Sequence, residues 1–89
     1  MKKVQYSKRF RKNYKKRFSN KPNVAKKFKT HLDLFIEGKR DAPINDQPLK
    51  GEMHGYRSFS VGGDISVIYI EDDEAYTFMD IGSHNQVYK

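Results

Sequence analysis

Apolar positions along the chain recur with two different periods. Val4 and Tyr6 alternate with polar neighbours between Lys3 and Tyr6, the two-residue period of a short strand. Ser7 comes next and suits a helix N-cap, its hydroxyl accepting one of the amide protons that a first turn leaves unpaired. From Lys8 to Phe18 the spacing lengthens. Phe10, Tyr14 and Phe18 fall every four residues and make one apolar stripe on a helix whose other positions are basic or Asn13. Ser19-Asn20-Lys21-Pro22 ends that helix. A second begins at about Asn23, keeps Val24, Phe28, Leu32, Phe35 and Ile36 on one side, and stops at Gly38. A connection this short predicts an antiparallel helical hairpin.

Residues 39–55 are rich in Pro, Gly, Asp and Lys and read as one long loop. Strands follow. Tyr56 to Val61 alternates, Gly62-Gly63 turns the chain, Ile65 to Ile70 is rich in β-branched residues, Glu71 to Glu74 turns it again, and Ala75 to Ile81 completes a meander. The order strand, helix, helix, strand, strand, strand predicts a small α+β domain over residues 1–89, with the helix pair covering one face of a mostly antiparallel sheet.

Composition narrows the class. A chain of 89 residues is one domain at most, and its six Phe and six Tyr supply the large apolar areas a small core needs. Without cysteine it has neither a disulfide framework nor a thiolate metal site. The basic start lacks the apolar stretch of a secretory signal, and no apolar run could span a bilayer, so a cytoplasmic protein without a membrane partner is expected. Charge is the most informative total. Residues 1–40 hold 15 of the 18 Lys and Arg but only 2 of the 11 Asp and Glu, which points the first half at a polyanion.

Candidate chemistry gathers near the C-terminus. After Gly82 the chain places Ser83, His84, Asn85 and Gln86 where its last strand should finish, before apolar alternation resumes at Val87 and Tyr88. The glycine lets the backbone turn, so the His84 ring is able to project into a cleft beside the sheet or to bridge neighbouring strands. Imidazole titrates near neutrality and suits proton transfer. Tyr88 fits either stacking on a base or closing the core, and Asp64, after Gly62-Gly63, fits either a turn or a site. Lys50 and Arg57 bring positive charge to the same region, although the Arg57 stem also suits a cap on the core beside Phe59 and Val61. His31 flanks the stripe of the second helix and reads as packing.

The segments P-L-K-G-E-M-H-G-Y-R-S-F-S-V-G-G-D-I-S-V-I-Y, residues 48–69, and D-I-G-S-H-N-Q-V-Y, residues 80–88, resemble the RelE/ParE toxin superfamily. The nearest branch is the YafQ-like mRNA interferases of type II toxin-antitoxin systems, and the likeness runs over essentially the whole chain. It implies a RelE-like fold and ribosome-dependent cleavage of messenger RNA by attack of the substrate's own 2′-hydroxyl. No metal and no cofactor are implied. The implied partners are an acidic antitoxin, the ribosome with its messenger RNA, and operator DNA reached through the antitoxin. Carried onto this chain, the resemblance makes His84 the proton donor, with Asp64 and Tyr88 as further catalytic residues. Lys50, Arg57, Gln47 and His54 would contact RNA.

The chain departs from the family pattern in four places. Relatives often have His at the position of Gln47, and members carry a second His at that of Ser60 and Arg at those of Ser66 and Asp80. Gln47 is able to hydrogen-bond a 2′-hydroxyl but not to take its proton, and a lone Asp80 would repel phosphate. Those losses leave open a weakened toxin, or a non-catalytic protein of the same fold that inhibits gyrase or acts through antitoxin binding.

Overall fold

The computed structural model describes residues 2–88; Met1 and Lys89, the outer ends of the basic start and of the closing segment, lie outside the described residues. Strand β1 (Lys3–Tyr6) leads into helices α1 (Lys8–Phe18) and α2 (Pro22–Ile36). Then come β2 (Gln47–Pro48), a single 3-10 turn (Gly51–Met53), β3 (Arg57–Gly62), β4 (Ile65–Glu71), β5 (Ala75–Ser83) and a one-turn helix, α3 (His84–Val87). The five strands form one sheet in the order β1-β5-β4-β3-β2. β1 runs parallel to β5 and the other pairs are antiparallel, giving the α+β arrangement expected from the sequence. No helix among the described residues is long and apolar enough to cross a membrane.

Local chemistry accounts for the helix starts. The Ser7 hydroxyl accepts from the Phe10 amide at 3.0 Å, as its place before the aromatic stripe predicts, and donates to the Met79 carbonyl at 3.1 Å. One residue thus starts α1 and fastens it to β5. Pro22 opens α2, where its missing N–H and fixed φ cost nothing. Phe10, Phe18, Phe35, Phe59, Tyr69 and Phe78 make the centre of the core, and the Phe78 ring lies within 6.4 Å of Tyr6, Phe10, Phe28, Phe35, Phe59 and Tyr69.

Two expectations change. Residues 39–55 are not all loop, because Gln47 and Pro48 pair with Ser58 and Arg57 as an edge strand and Gly51–Met53 makes a turn of 3-10 helix. Ile44 is fully buried and the Asp46 side chain nearly so, and both tie this segment to the sheet. The closing residues, read as polar positions followed by apolar alternation at Val87 and Tyr88, wind into α3 over His84–Val87.

A bulge in β5 matters for the site. Ile68 pairs with Asp80 but Tyr69 pairs with Phe78, so Met79 is the extra residue. Directly paired residues share a face, which leaves Phe78 beside Tyr69 in the core and turns Asp80 to the side of Ile68. Beyond Phe78, where β1 has ended, α1 runs along the edge of β5, and the Arg17 guanidinium donates to the Ile81 carbonyl at 2.8 Å.

Candidate active site

His84 is the first residue of α3 and is exposed. Three features hold it there. The pairing of Ile65 with Ser83 sets the β3–β4 turn beside the end of β5, and the His84 amide donates to the Asp64 carbonyl at 3.1 Å. The Gln86 side chain accepts from the Ser83 amide at 2.7 Å and completes a capping box with Ser83, so two of the polar residues after Gly82 have a cap duty, written in the sequence as Ser-x-x-Gln. Tyr88, one turn after His84, places its ring 4.6 Å from the imidazole.

Gly82 makes this corner possible. A Cβ there would stand 2.7 Å from the Arg17 guanidinium, 2.7 Å from the Gln86 amide oxygen and 3.0 Å from the Gln86 Cβ. Gly82→Ala should therefore push Arg17 off β5 and Gln86 off the Ser83 amide. We expect a loss of about 1–3 kcal/mol in stability, the usual cost of overpacking. Displacement of His84 should lower the site's activity further than that loss explains, which melting curves and activity assays on the same preparation will separate.

Tyr88 forms one wall of a groove of about 420 Å³ whose other walls are Leu49, Lys50, Glu52 and Met53. Tyr88 and Lys50 thus share one groove with Glu52, and His84 meets that groove through the Tyr88 ring. Asp64 is exposed and meets His84 through its main chain, not through its carboxylate. His54 is exposed just after the 3-10 turn, and Gln47 is exposed on β2; neither lines the groove.

Arg57 departs from the expectation of an open phosphate fork. Its guanidinium donates to the Asp46 carboxylate, with Nε at 2.9 Å and Nη2 closer, and Nε also reaches the Tyr69 hydroxyl at 3.3 Å. The reason is register: Arg57 pairs with Tyr69 on the core side of the sheet, where Asp46 closes the end of the core. His31 is packing, as expected, its Nδ1 lying 2.6 Å from the Ser60 carbonyl. The Ser60 hydroxyl accepts from the Gly62 amide at 3.0 Å within a second irregularity, at the end of β3.

Asp80 corrects a further expectation. Its carboxylate is buried and already neutralised, accepting from Asn13 at 2.7 Å and Arg17 at 3.3 Å, with Arg9 at 3.5 Å. It draws α1 onto β5 instead of presenting a lone negative charge. A basic groove of about 510 Å³ adjoins it, lined by Lys16, Arg17, Lys21, Ser83 and Gln86 among others. Glu52, Arg9 and Arg17 escaped sequence reading because no local pattern ties α1 to residues 52 and 80; the basic excess of α1 was the available signal.

A model for the family described as "Bacterial toxin of type II toxin-antitoxin system, YafQ" matches residues 2–89. No curated protein sequence matches the chain. Among solved structures, YafQ from E. coli strain BL21(DE3) is 25% identical and superposes with a TM-score of 0.76 over 100% of both chains. The YafQ chain of the E. coli DinJ-YafQ complex is 26% identical, with a TM-score of 0.75 and full coverage of both chains. A copper-bound mutant toxin from Helicobacter pylori is 26% identical, with a TM-score of 0.78, 99% of this chain and 100% of that one being covered. With a family match over almost its whole length and the same fold, the chain belongs to the YafQ family of toxins of bacterial type II toxin-antitoxin systems.

Proposed function

We propose that this toxin is an endoribonuclease that cuts messenger RNA on the ribosome. The observation that carries the reading is the exposed His84 ring against Tyr88, which itself lines a groove with Lys50 and Glu52. Cleavage by 2′-hydroxyl attack needs a proton acceptor for that hydroxyl, a proton donor for the departing 5′-oxygen, and a positive group near the phosphate. His84 gives its proton to the 5′-oxygen as the phosphorus–oxygen bond breaks. Glu52, the groove's carboxylate, takes the 2′-hydroxyl proton that Gln47 is unable to accept. Lys50 offsets the charge growing on phosphorus, and Tyr88 holds a base by stacking. Asp64 acts through its carbonyl, which fixes the first turn of α3. The products are a 2′,3′-cyclic phosphate and a 5′-hydroxyl end.

The cationic first half supplies the surface for RNA and ribosome and, in the resting cell, suits an acidic antitoxin, as DinJ partners YafQ in the E. coli complex. Transcript ends mapped after a short pulse of expression test the function. New 5′-hydroxyl ends at codon-register positions are expected with the parent protein, and a rate lower by about 10²-fold with Glu52→Gln. Unchanged transcripts during growth arrest would point to the binding-only alternative.

A further inference from the structure

Asp80 is 5% exposed, yet it faces two arginines. One of its oxygens is fully occupied, accepting from Asn13 at 2.7 Å, from the Ile81 amide at 2.8 Å and from Arg17 at 3.3 Å. The other oxygen has Arg9 at 3.5 Å. Two guanidinium groups against one carboxylate leave this cluster a net positive charge. Arg17 is spent on structure, being 20% exposed and bonded to the Ile81 carbonyl as well. Arg9 is not. Its side chain is 68% exposed, and a single long ion pair leaves most of its five donors directed at solvent.

Arg9 stands on the rim of a second groove, of about 280 Å³, floored by Met53, Tyr56, Ile68, Met79 and Val87. Glu52 and Met53 line both this groove and the one walled by Tyr88, so the two lie side by side. An aromatic and thioether floor with a guanidinium at its edge is the arrangement that holds a single-stranded nucleotide: the base lies on the apolar floor and the phosphate meets the cation. The β5 bulge at Met79 is what turns Asp80 to this side and so brings Arg9 over the groove.

We propose that this groove is a nucleotide subsite next to the scissile linkage, with Arg9 as the contact to an RNA phosphate and Asp80 as the residue that positions Arg9. The subsite rests on the reading of the protein as a ribonuclease. It also places a phosphate-binding arginine on α1, in a chain whose Arg57 is held by Asp46.

The test uses the full-length toxin and a short single-stranded RNA oligonucleotide methylated at every 2′-oxygen, which binds but is not cut. Arg9→Gln should weaken binding about tenfold and lower the slope of log affinity against log salt by about 0.7, the value for one phosphate contact on a single strand. Arg11→Gln, which removes an exposed cation of the same helix outside this groove, is the control for the general cationic field of α1 and should lose clearly less than Arg9→Gln. Asp80→Asn should weaken binding in the parent background and have no further effect once Arg9 is Gln, whereas a merely structural role for Asp80 would act equally in both. Equal behaviour of Arg9→Gln and Arg11→Gln, or no binding by the parent protein, would overturn the subsite. Loss of binding in Arg9→Gln from a parent protein that cuts nothing on ribosomes would instead remove the ribonuclease reading and leave Arg9 as an RNA contact without a scissile linkage beside it.

Discussion

Replacing His84 with alanine should slow messenger RNA cleavage by about 10²–10⁴-fold, the range over which a positioned proton donor contributes, and should leave the fold intact. The expectation follows from where the side chain sits. Its ring is exposed and its one close ring partner is Tyr88, so removal opens no core cavity. The bond that fixes the start of α3, from the His84 amide to the Asp64 carbonyl, is made by the backbone and survives the substitution. His84→Gln should be as inactive as His84→Ala, because an amide keeps hydrogen bonding without transferring a proton at neutral pH. Single-turnover rates on programmed ribosomes, together with melting curves, measure both halves. A variant that melts like the parent and cuts like the parent would remove His84 from the chemistry.

The largest effects on stability should come from the cluster around Asp46. Its carboxylate is 1% exposed and is shared among Arg57, Arg40 at 3.9 Å and the Tyr69 hydroxyl. Arg40 in turn donates to the Phe35 carbonyl at 2.7 Å and lies 4.0 Å over the Phe35 ring, so the cluster clamps the segment after α2 to the sheet. Removing one partner of a buried pair costs about 3–5 kcal/mol. Asp46→Ala should fall near the lower end, about 3 kcal/mol, because both arginines reach water once released. In a domain this small that is a drop in Tm of more than about 10 °C. Arg57→Met should cost more, since it strands a carboxylate away from solvent. Denaturant titrations in a His84→Ala background, which avoids toxicity, will show whether the cost is this large; a change below about 1 kcal/mol would mean the cluster adds little.

Alkali probes the same cluster. Burial and the bond to Asp46 hold the Tyr69 hydroxyl proton well above the ordinary tyrosine range. A proton bound more tightly in the folded state contributes stability that is fully present below the unfolded value near 10 and is lost as pH rises from there toward the folded value. The parent should therefore weaken above about pH 10 more steeply than Tyr69→Phe.

The elements that could be read from sequence were those with long, regular periods. Phe10, Tyr14 and Phe18 gave α1, Ser7 gave its cap, and the alternation in β3, β4 and β5 gave the meander. The elements that escaped are short or depend on distant partners. β2 is two residues with a proline, too brief to show a period. α3 is one turn whose capping box, Ser83 with Gln86, lay inside a run read as polar site residues. In the candidate site, the adjacency of His84 and Tyr88 was legible because both lie within one local segment. The surroundings of Asp80 and Arg57 escaped because their charges are balanced by residues far away in sequence, Arg17 and Arg9 for one and Asp46 for the other. Sequence gives charge one residue at a time, whereas burial decides it pair by pair.

Proton donation by His84 can be tested at the leaving atom itself. A messenger with sulfur in place of the 5′-bridging oxygen at the cut site departs without needing a proton. On ribosomes carrying that message, His84→Ala should regain a cleavage rate close to the parent's, while Glu52→Gln should stay slow. If His84→Ala remains as inactive on the sulfur-bridged message as on the natural one, the imidazole is not the proton donor.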